Sequence, residues 1–284
     1  MTKHDFYIES KTINNLIESA LLEDVGSGDI TTNFLIDGDL KTKAFLKAKE
    51  NGIIAGLQIA ELVFKKLDNN IIWNQNFNDG DEIKSGDILV NFMGTYKSIL
   101  TGERTALNFL QRMSGIATST SKYVQAIKHT KAKILDSRKT APGLRLIDKY
   151  AVNIGGAMNH RIGLYDMVLI KDNHIKIAGG ITNAVNKIRS KLDSGIKIEV
   201  ETSTLDEVME ALNSQVDFIM LDNMTTEMMK HAVKSINGKA LIEASGNMSL
   251  ERVKEVAETG VDFISIGALT HSVKALDIAQ YIES

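Results

Sequence analysis

The chain of 284 residues contains no cysteine. That absence removes disulfides, thiolate zinc sites, iron–sulfur clusters and a thiol nucleophile together. A single proline, against a usual share of about 5%, excludes proline-rich linkers and polyproline ligand segments. Neither charge sign is in surplus, because 33 Lys and Arg face 36 Asp and Glu for a formal charge of −3. Non-specific nucleic-acid binding needs a basic excess and is not expected. No stretch reaches the roughly 18 apolar residues of a membrane helix, and the start MTKHDFYIES carries no apolar leader core. A cytoplasmic protein with no membrane partner is expected. The 11 methionines are scattered among aliphatics, which reads as core filling rather than a thioether metal site.

What is present is an ordinary globular composition, 43% apolar and 24% charged, at a length that accommodates two domains of about 150 residues. Residues 12–25 place Ile13, Leu16, Ile17, Ala20 and Leu21 at helical spacing. From Lys41 to Lys49 the period changes to two, with Lys41, Lys43, Lys47 and Lys49 on one face and Ala44, Leu46 and Ala48 on the other. That pattern predicts a half-solvated antiparallel strand, whose lysines form a wet face rather than a binding patch. A helix over GLQIAELVFKKL follows, then short strands around Trp73 and in DGDEIKSGDILVNFMG. Residues 98–129 read as a long helical stretch, interrupted near Ser114 and Gly115, that bridges two domains.

Beyond it the grammar becomes regular. Six β-rich runs, AKILDS, DMVLIKD, IKIEVE, DFIMLDN, ALIEASG and DFISIGA, are separated mostly by helix-competent segments. Apolar strands alternating with helices define parallel β/α units, expected as sequential neighbours in a barrel-like sheet. Six strands fall short of the eight of a full (β/α)₈ barrel, so an incomplete, open β/α barrel is predicted.

In such barrels the active site stands at the C-terminal strand ends. Here those ends carry Asp136, Ser137, Arg138 and Lys139; Lys171, Asp172 and Asn173; Glu199 and Glu201; Asp222 and Asn223; Glu243, Ser245, Gly246 and Asn247; and Ser265 and Gly267, with His160 and Arg161 just before the second run. A strand-end Asp alone is often a helix cap and a strand-end Lys a solvated charge. Five cations, Arg138, Lys139, His160, Arg161 and Lys171, on one rim of a net acidic chain nevertheless call for a small polyanion carrying carboxylates and phosphates. ASGNM and SIGAL place a glycine directly after an apolar strand, where backbone N–H groups can cradle phosphate or simply make a tight turn. Glu201 and Asp222 then read as Mg²⁺ or ribose-hydroxyl ligands. Lys171 at a strand end also suits a Schiff-base aldolase, and the rim as a whole a non-catalytic oxyanion binder.

The chain resembles the quinolinate phosphoribosyltransferases over nearly its whole length. The resemblance is carried by ALLEDVGSGDITT at 20–32, GERTALNFLQRMSGIAT at 102–118 and DSRKTAPGLRLIDKYAVNIGGAMNHRIGLYDMVLIKDNHI at 136–175. It continues through IEVE at 198–201, IMLDNM at 219–224, EASGN at 243–247 and ISIGALTHS at 264–272. It implies an N-terminal α/β sandwich over residues 1–112, joined by the tail 273–284, and an open β/α barrel over 113–272, assembled as a homodimer.

The implied reaction is phosphoribosyl transfer from phosphoribosyl pyrophosphate to quinolinate with decarboxylation, giving nicotinate mononucleotide, pyrophosphate and carbon dioxide in NAD biosynthesis, with Mg²⁺ required. The resemblance further implies that Arg138, His160, Arg161 and Lys171 grip the two quinolinate carboxylates, with Arg104 reaching in from the partner subunit. Lys139, Glu201, Asp222 and the loops Ser245–Gly246–Asn247 and Ile266–Gly267–Ala268 face phosphoribosyl pyrophosphate and Mg²⁺, with Ser137 in the substrate-binding set. Lys139, Lys171, Glu201 and Asp222 are the implied catalytic residues. Ser137 and Ala141 stand where Thr is expected, and Ala157 where the family often has Gly; none of these removes a charge. A sister group of the same fold, associated with molybdate-transport operons, differs in acceptor.

Overall fold

The computed structural model describes residues 11–192 and 195–283; the amino-terminal decapeptide read above lies outside them. The elements in chain order are α1 (Lys11–Val25), α2 (Ile30–Leu35), β1 (Lys41–Ala48), β2 (Gly52–Ile53), α3 (Leu57–Leu67), β3 (Ile72–Gln75), β4 (Glu82–Ile83), β5 (Ile88–Thr95) and α4 (Tyr96–Ala126). They continue as β6 (Lys133–Leu135), α5 (Arg145–Ile154), β7 (Val168–Ile170), α6 (Asp172–Ala178), α7 (Ile181–Arg189), β8 (Ile198–Thr202), α8 (Leu205–Asn213), β9 (Phe218–Asp222), α9 (Thr226–Ile236), β10 (Leu241–Ser245), α10 (Leu250–Ala257), β11 (Phe263–Ser265), α11 (Ala268–His271) and β12 (Ile278–Ile282). Two compact units emerge. One holds the described residues up to Ser121 with Thr140–Gly156 and those from Leu269 onward; the other holds Lys122–Lys139 and Ala157–Ala268.

In the first unit, β1 buries Thr42, Ala44, Leu46 and Ala48 and exposes Lys41 and Lys43, as the alternation predicts. It pairs antiparallel with β5 on one side and β12 on the other, Ala44 facing both Phe92 and Ile282, in a sheet of order β12-β1-β5-β3. Helix α3 turns Ile59, Ala60, Val63 and Phe64 inward. Phe64 meets Trp73 of β3 and Phe92 of β5 at ring-centroid distances of 5.9 and 4.8 Å. Truncating such a fully buried aromatic ring costs about 3–5 kcal/mol.

The expected interruption of the long helix is absent, because α4 runs unbroken through Ser114 and Gly115. Those small residues serve contacts. The Ser114 hydroxyl accepts from Ala55 N at 3.0 Å and donates to Ala55 O at 3.2 Å. A Cβ on Gly115 would lie 2.1 Å from the Lys274 carbonyl oxygen, so the glycine is required by the passing backbone.

The second unit is the parallel sheet β6-β11-β10-β9-β8-β7. All six predicted runs are strands, and β7 to β11 neighbour one another in sequence, joined by α6 and α7, α8, α9 and α10. The expectation of sequential neighbours fails for β6, which pairs with the last strand: Ile134 registers with Ile264 and Leu135 with Ser265. The first strand thus closes on the last and leaves the sheet open between β6 and β7. A lone parallel bridge between Leu135 and Met158 brings the segment before His160 alongside β6. Thr204, Thr225 and Ser249 cap the N-termini of α8, α9 and α10, the Thr204 hydroxyl accepting from Glu207 N at 3.2 Å.

Candidate active site at the strand C-termini

Fully buried Asp136 follows β6 and ties the incoming segment down: Oδ2 accepts from Asn159 Nδ2 and Oδ1 from His160 N, each at 2.8 Å. The Arg161 backbone N–H then donates to His160 Nδ1 at 2.7 Å. An Nδ1 that accepts carries no proton, so the neutral ring bears its proton on Nε2. That nitrogen lies 3.0 Å from Glu199 Oε2 and 3.4 Å from Glu243 Oε2. Both glutamates are fully buried, and burial is the first cause that pushes Glu199 up to about 7 and Glu243 up to about 8.

The His160, Glu199 and Glu243 ligand atoms lie within 4.8 Å of one another, the spacing of a metal cage. The tautomer argues against that use, since the Nε2 lone pair is taken by a proton.

Arg161 is also buried, and Nη1 donates to Met167 O at 2.9 Å. Asp166 caps the intervening turn by accepting from Ile162 N at 2.7 Å and Gly163 N at 2.9 Å. Burial first, and then nearby Arg138, push the Arg161 pKa down from its usual value, against the pull of Glu199 and Asp166.

Alternation along each strand sets two levels inside the sheet. Glu199 and Glu201 share a face of β8, as Glu243 and Ser245 do on β10 and Met220 and Asp222 on β9; Ser245 registers with Asp222. The deeper level is the closed carboxyl–imidazole cluster. The upper level holds Glu201, Asp222 and Ser245, each partly open to solvent. Lys171, directly after β7, places Nζ 2.5 Å from Glu201 Oε2, and its backbone N–H donates to His174 Nδ1 at 3.0 Å. Its ammonium therefore sits in an ion pair at an exposed strand end, not in the apolar pocket that a Schiff-base lysine needs.

Ser137, Arg138 and Lys139 form the loop after β6, where Ser137 Oγ accepts from Lys139 N at 3.1 Å. The Gly246 loop follows β10, and Ile266–Gly267–Ala268 follows β11, with Ile266 N donating to Leu135 O at 2.9 Å. The second unit thus contains every predicted site residue except Arg104, which is exposed on α4 within the first unit's range. Sequence reasoning gave no role to Asn159, Asp166, Glu199 or Glu243. Only the two glutamates leave a trace, as acids set at period two inside apolar strands.

The fold is an open parallel β/α barrel with charged residues, oxygen donors and glycine loops at its strand ends. The chain belongs to the quinolinate phosphoribosyl transferase family. Residues 29–114 match the family's N-terminal domain and residues 116–280 its C-terminal domain. A carboxylating nicotinate-nucleotide pyrophosphorylase from Oryza sativa subsp. japonica is 46% identical, over 95% of this chain and 77% of its own length. The decarboxylating quinolinate phosphoribosyltransferase 1b of Nicotiana tabacum is also 46% identical, over 96% of this chain and 83% of its own. The solved nicotinate-nucleotide pyrophosphorylase of Francisella tularensis superposes with a TM-score of 0.95 at 42% identity, covering 100% of both chains.

Proposed function

We propose that the protein transfers the phosphoribosyl group of phosphoribosyl pyrophosphate to quinolinate and decarboxylates the adduct, forming nicotinate mononucleotide, pyrophosphate and carbon dioxide for NAD biosynthesis. The observation that carries this reading is the Lys171–Glu201 contact. It joins a cation suited to a pyridine carboxylate to a carboxylate suited to ribose hydroxyls, at the seam where the pyridine nitrogen must meet the sugar C1.

Arg138, Arg161 and Lys171 grip the dicarboxylate, while His160, both of whose ring nitrogens are engaged within the chain, holds Arg161 in place. A rigid clamp aims the nitrogen, which is where positioning lowers the barrier. Lys139 meets the departing pyrophosphate, and the Ser245–Gly246–Asn247 and Ile266–Gly267–Ala268 loops cradle the 5′-phosphate and ribose side. Glu201 and Asp222 are accessible hard oxygen donors, a set that fits Mg²⁺, and they would hold it. Bound Mg²⁺ supplies neutralisation of the leaving group's charge. When the carboxylate beside the new pyridinium leaves as carbon dioxide, the same cations face the carbanion left behind, which takes a proton from solvent water to give nicotinate mononucleotide.

We also propose a homodimer to which Arg104 of a second copy contributes. Leu22, Ile30, Phe34 and Leu35 lie exposed on α1 and α2, an apolar face that a second copy would cover. No described helix is long and apolar enough to cross a membrane. We propose that the protein acts in the cytoplasm.

The test is product analysis after incubation with quinolinate, phosphoribosyl pyrophosphate and Mg²⁺, with nicotinate as a parallel acceptor and chelator as the blank. Nicotinate mononucleotide and carbon dioxide from quinolinate alone are expected. A folded protein that turns over neither acceptor would overturn the proposal.

A further inference from the structure

Asn223 stands directly after β9 with φ of +54°, a left-handed conformation that a non-glycine residue adopts at a cost. Its side chain bridges two strand ends. Nδ2 donates to Asp222 Oδ2 at 2.8 Å, and Oδ1 accepts from Asn247 Nδ2 at 3.4 Å. The amide orientation is dictated chemically, because a carboxylate oxygen can only accept. The Asn223 backbone N–H also donates to Ser245 O at 3.0 Å. Gly246, at φ +96°, is what admits this bridge: a Cβ there would lie 2.1 Å from Asn223 Oδ1 and 3.0 Å from Asn223 N. One uncharged side chain thus links the Asp222 carboxylate to the Ser245–Gly246–Asn247 loop, two parts that a phosphoribosyl ligand must contact together.

We infer that Asn223 is a positioning residue for phosphoribosyl pyrophosphate, acting through Asp222 and the Gly246 loop; this rests on the functional reading above. The left-handed backbone and the side-chain bridge are separable by substitution. Asn223→Gly relieves the backbone and deletes the bridge, whereas Asn223→Asp keeps the size, removes the donor and sets a second carboxylate against Asp222.

The experiment is calorimetric titration of wild type, Asn223→Gly and Asn223→Asp with phosphoribosyl pyrophosphate, both without metal and with Mg²⁺, together with melting temperatures and steady-state KM for both substrates. The glycine variant is expected to melt at or above the wild-type temperature, yet to bind phosphoribosyl pyrophosphate about tenfold more weakly, the worth of one charge-assisted hydrogen bond. Its KM for quinolinate should move less than twofold, and the aspartate variant should bind more weakly still. Wild-type affinity in either variant would overturn the inference, as would a lowered melting temperature with equal losses for both substrates. Failure of the wild type itself to bind phosphoribosyl pyrophosphate would instead overturn the functional reading, and the inference with it.

Discussion

Replacing Glu243 by glutamine tests whether the carboxyl cluster beneath the site stores a proton in the folded chain. Glu243 is fully buried on β10, with Glu199 and His160 against it, and burial pushes it up to about 8 from an ordinary 4.5. Ser265 and His160 pull the other way without cancelling that push. Between those values the folded chain holds a proton that the unfolded chain has released. The contribution of Glu243 to stability is therefore complete below about 4.5 and is lost as the pH rises through about 8. One extra bound proton corresponds to a slope of about 1.4 kcal/mol per pH unit.

Glutamine mimics the protonated acid and does not titrate, so Glu243→Gln should lack that share of the slope. Urea unfolding followed by circular dichroism at pH 5.5, 6.5 and 7.5 reads the difference. Across those two units the wild type should lose about 2–3 kcal/mol more than the variant. Parallel pH dependences for the two proteins, or a wild type whose stability rises relative to the variant, would refute the assignment of a stored proton to Glu243.

Arg138→Ala and Lys171→Ala should each raise the KM for quinolinate and lower kcat, reducing kcat/KM about 10- to 100-fold as a charge-assisted contact is lost; normal steady-state constants would remove that residue from the clamp. Arg112→Ala should destabilise the protein by about 3–5 kcal/mol, since it strands fully buried Asp148, whose two oxygens accept from Arg112 Nε and Nη2 at 2.8 Å. Denaturant unfolding that shows a loss below about 1 kcal/mol would contradict this account of the pair. Mixing Arg104→Ala chains with Lys139→Ala chains should recover part of the activity that each variant lacks alone; no recovery in proven heterodimers would exclude sharing of Arg104 between subunits.

The elements most legible in the sequence are those with strong local periods. The alternation of β1 and the apolar runs of the six parallel strands are sheet signatures that neighbouring packing does not override. The positions of the strand ends were legible too, because they can be located by counting along a β/α alternation, and β6 to β11 end close to where those runs end. Ser114 and Gly115 misled for the opposite reason. Small residues read locally as a helix break, whereas their cause lies in distant backbone, Ala55 and Lys274, that no local pattern can register.

The amino acids alone supply the available chemistry: no thiol, a balanced charge, charged residues and two glycine loops at the strand ends, and parallel β/α units to carry them. Tertiary structure alone decided that β6 closes on β11, that Asp136 draws His160 and Arg161 beside that strand, and that Glu199 and Glu243 meet under the imidazole. It alone turned Asn223 from a strand-end residue into a bridge between two loops. Periodicity reports which face of an element is buried. Which element covers that face, and which proton or hydrogen bond then becomes obligatory, depends on contacts between residues far apart in the chain.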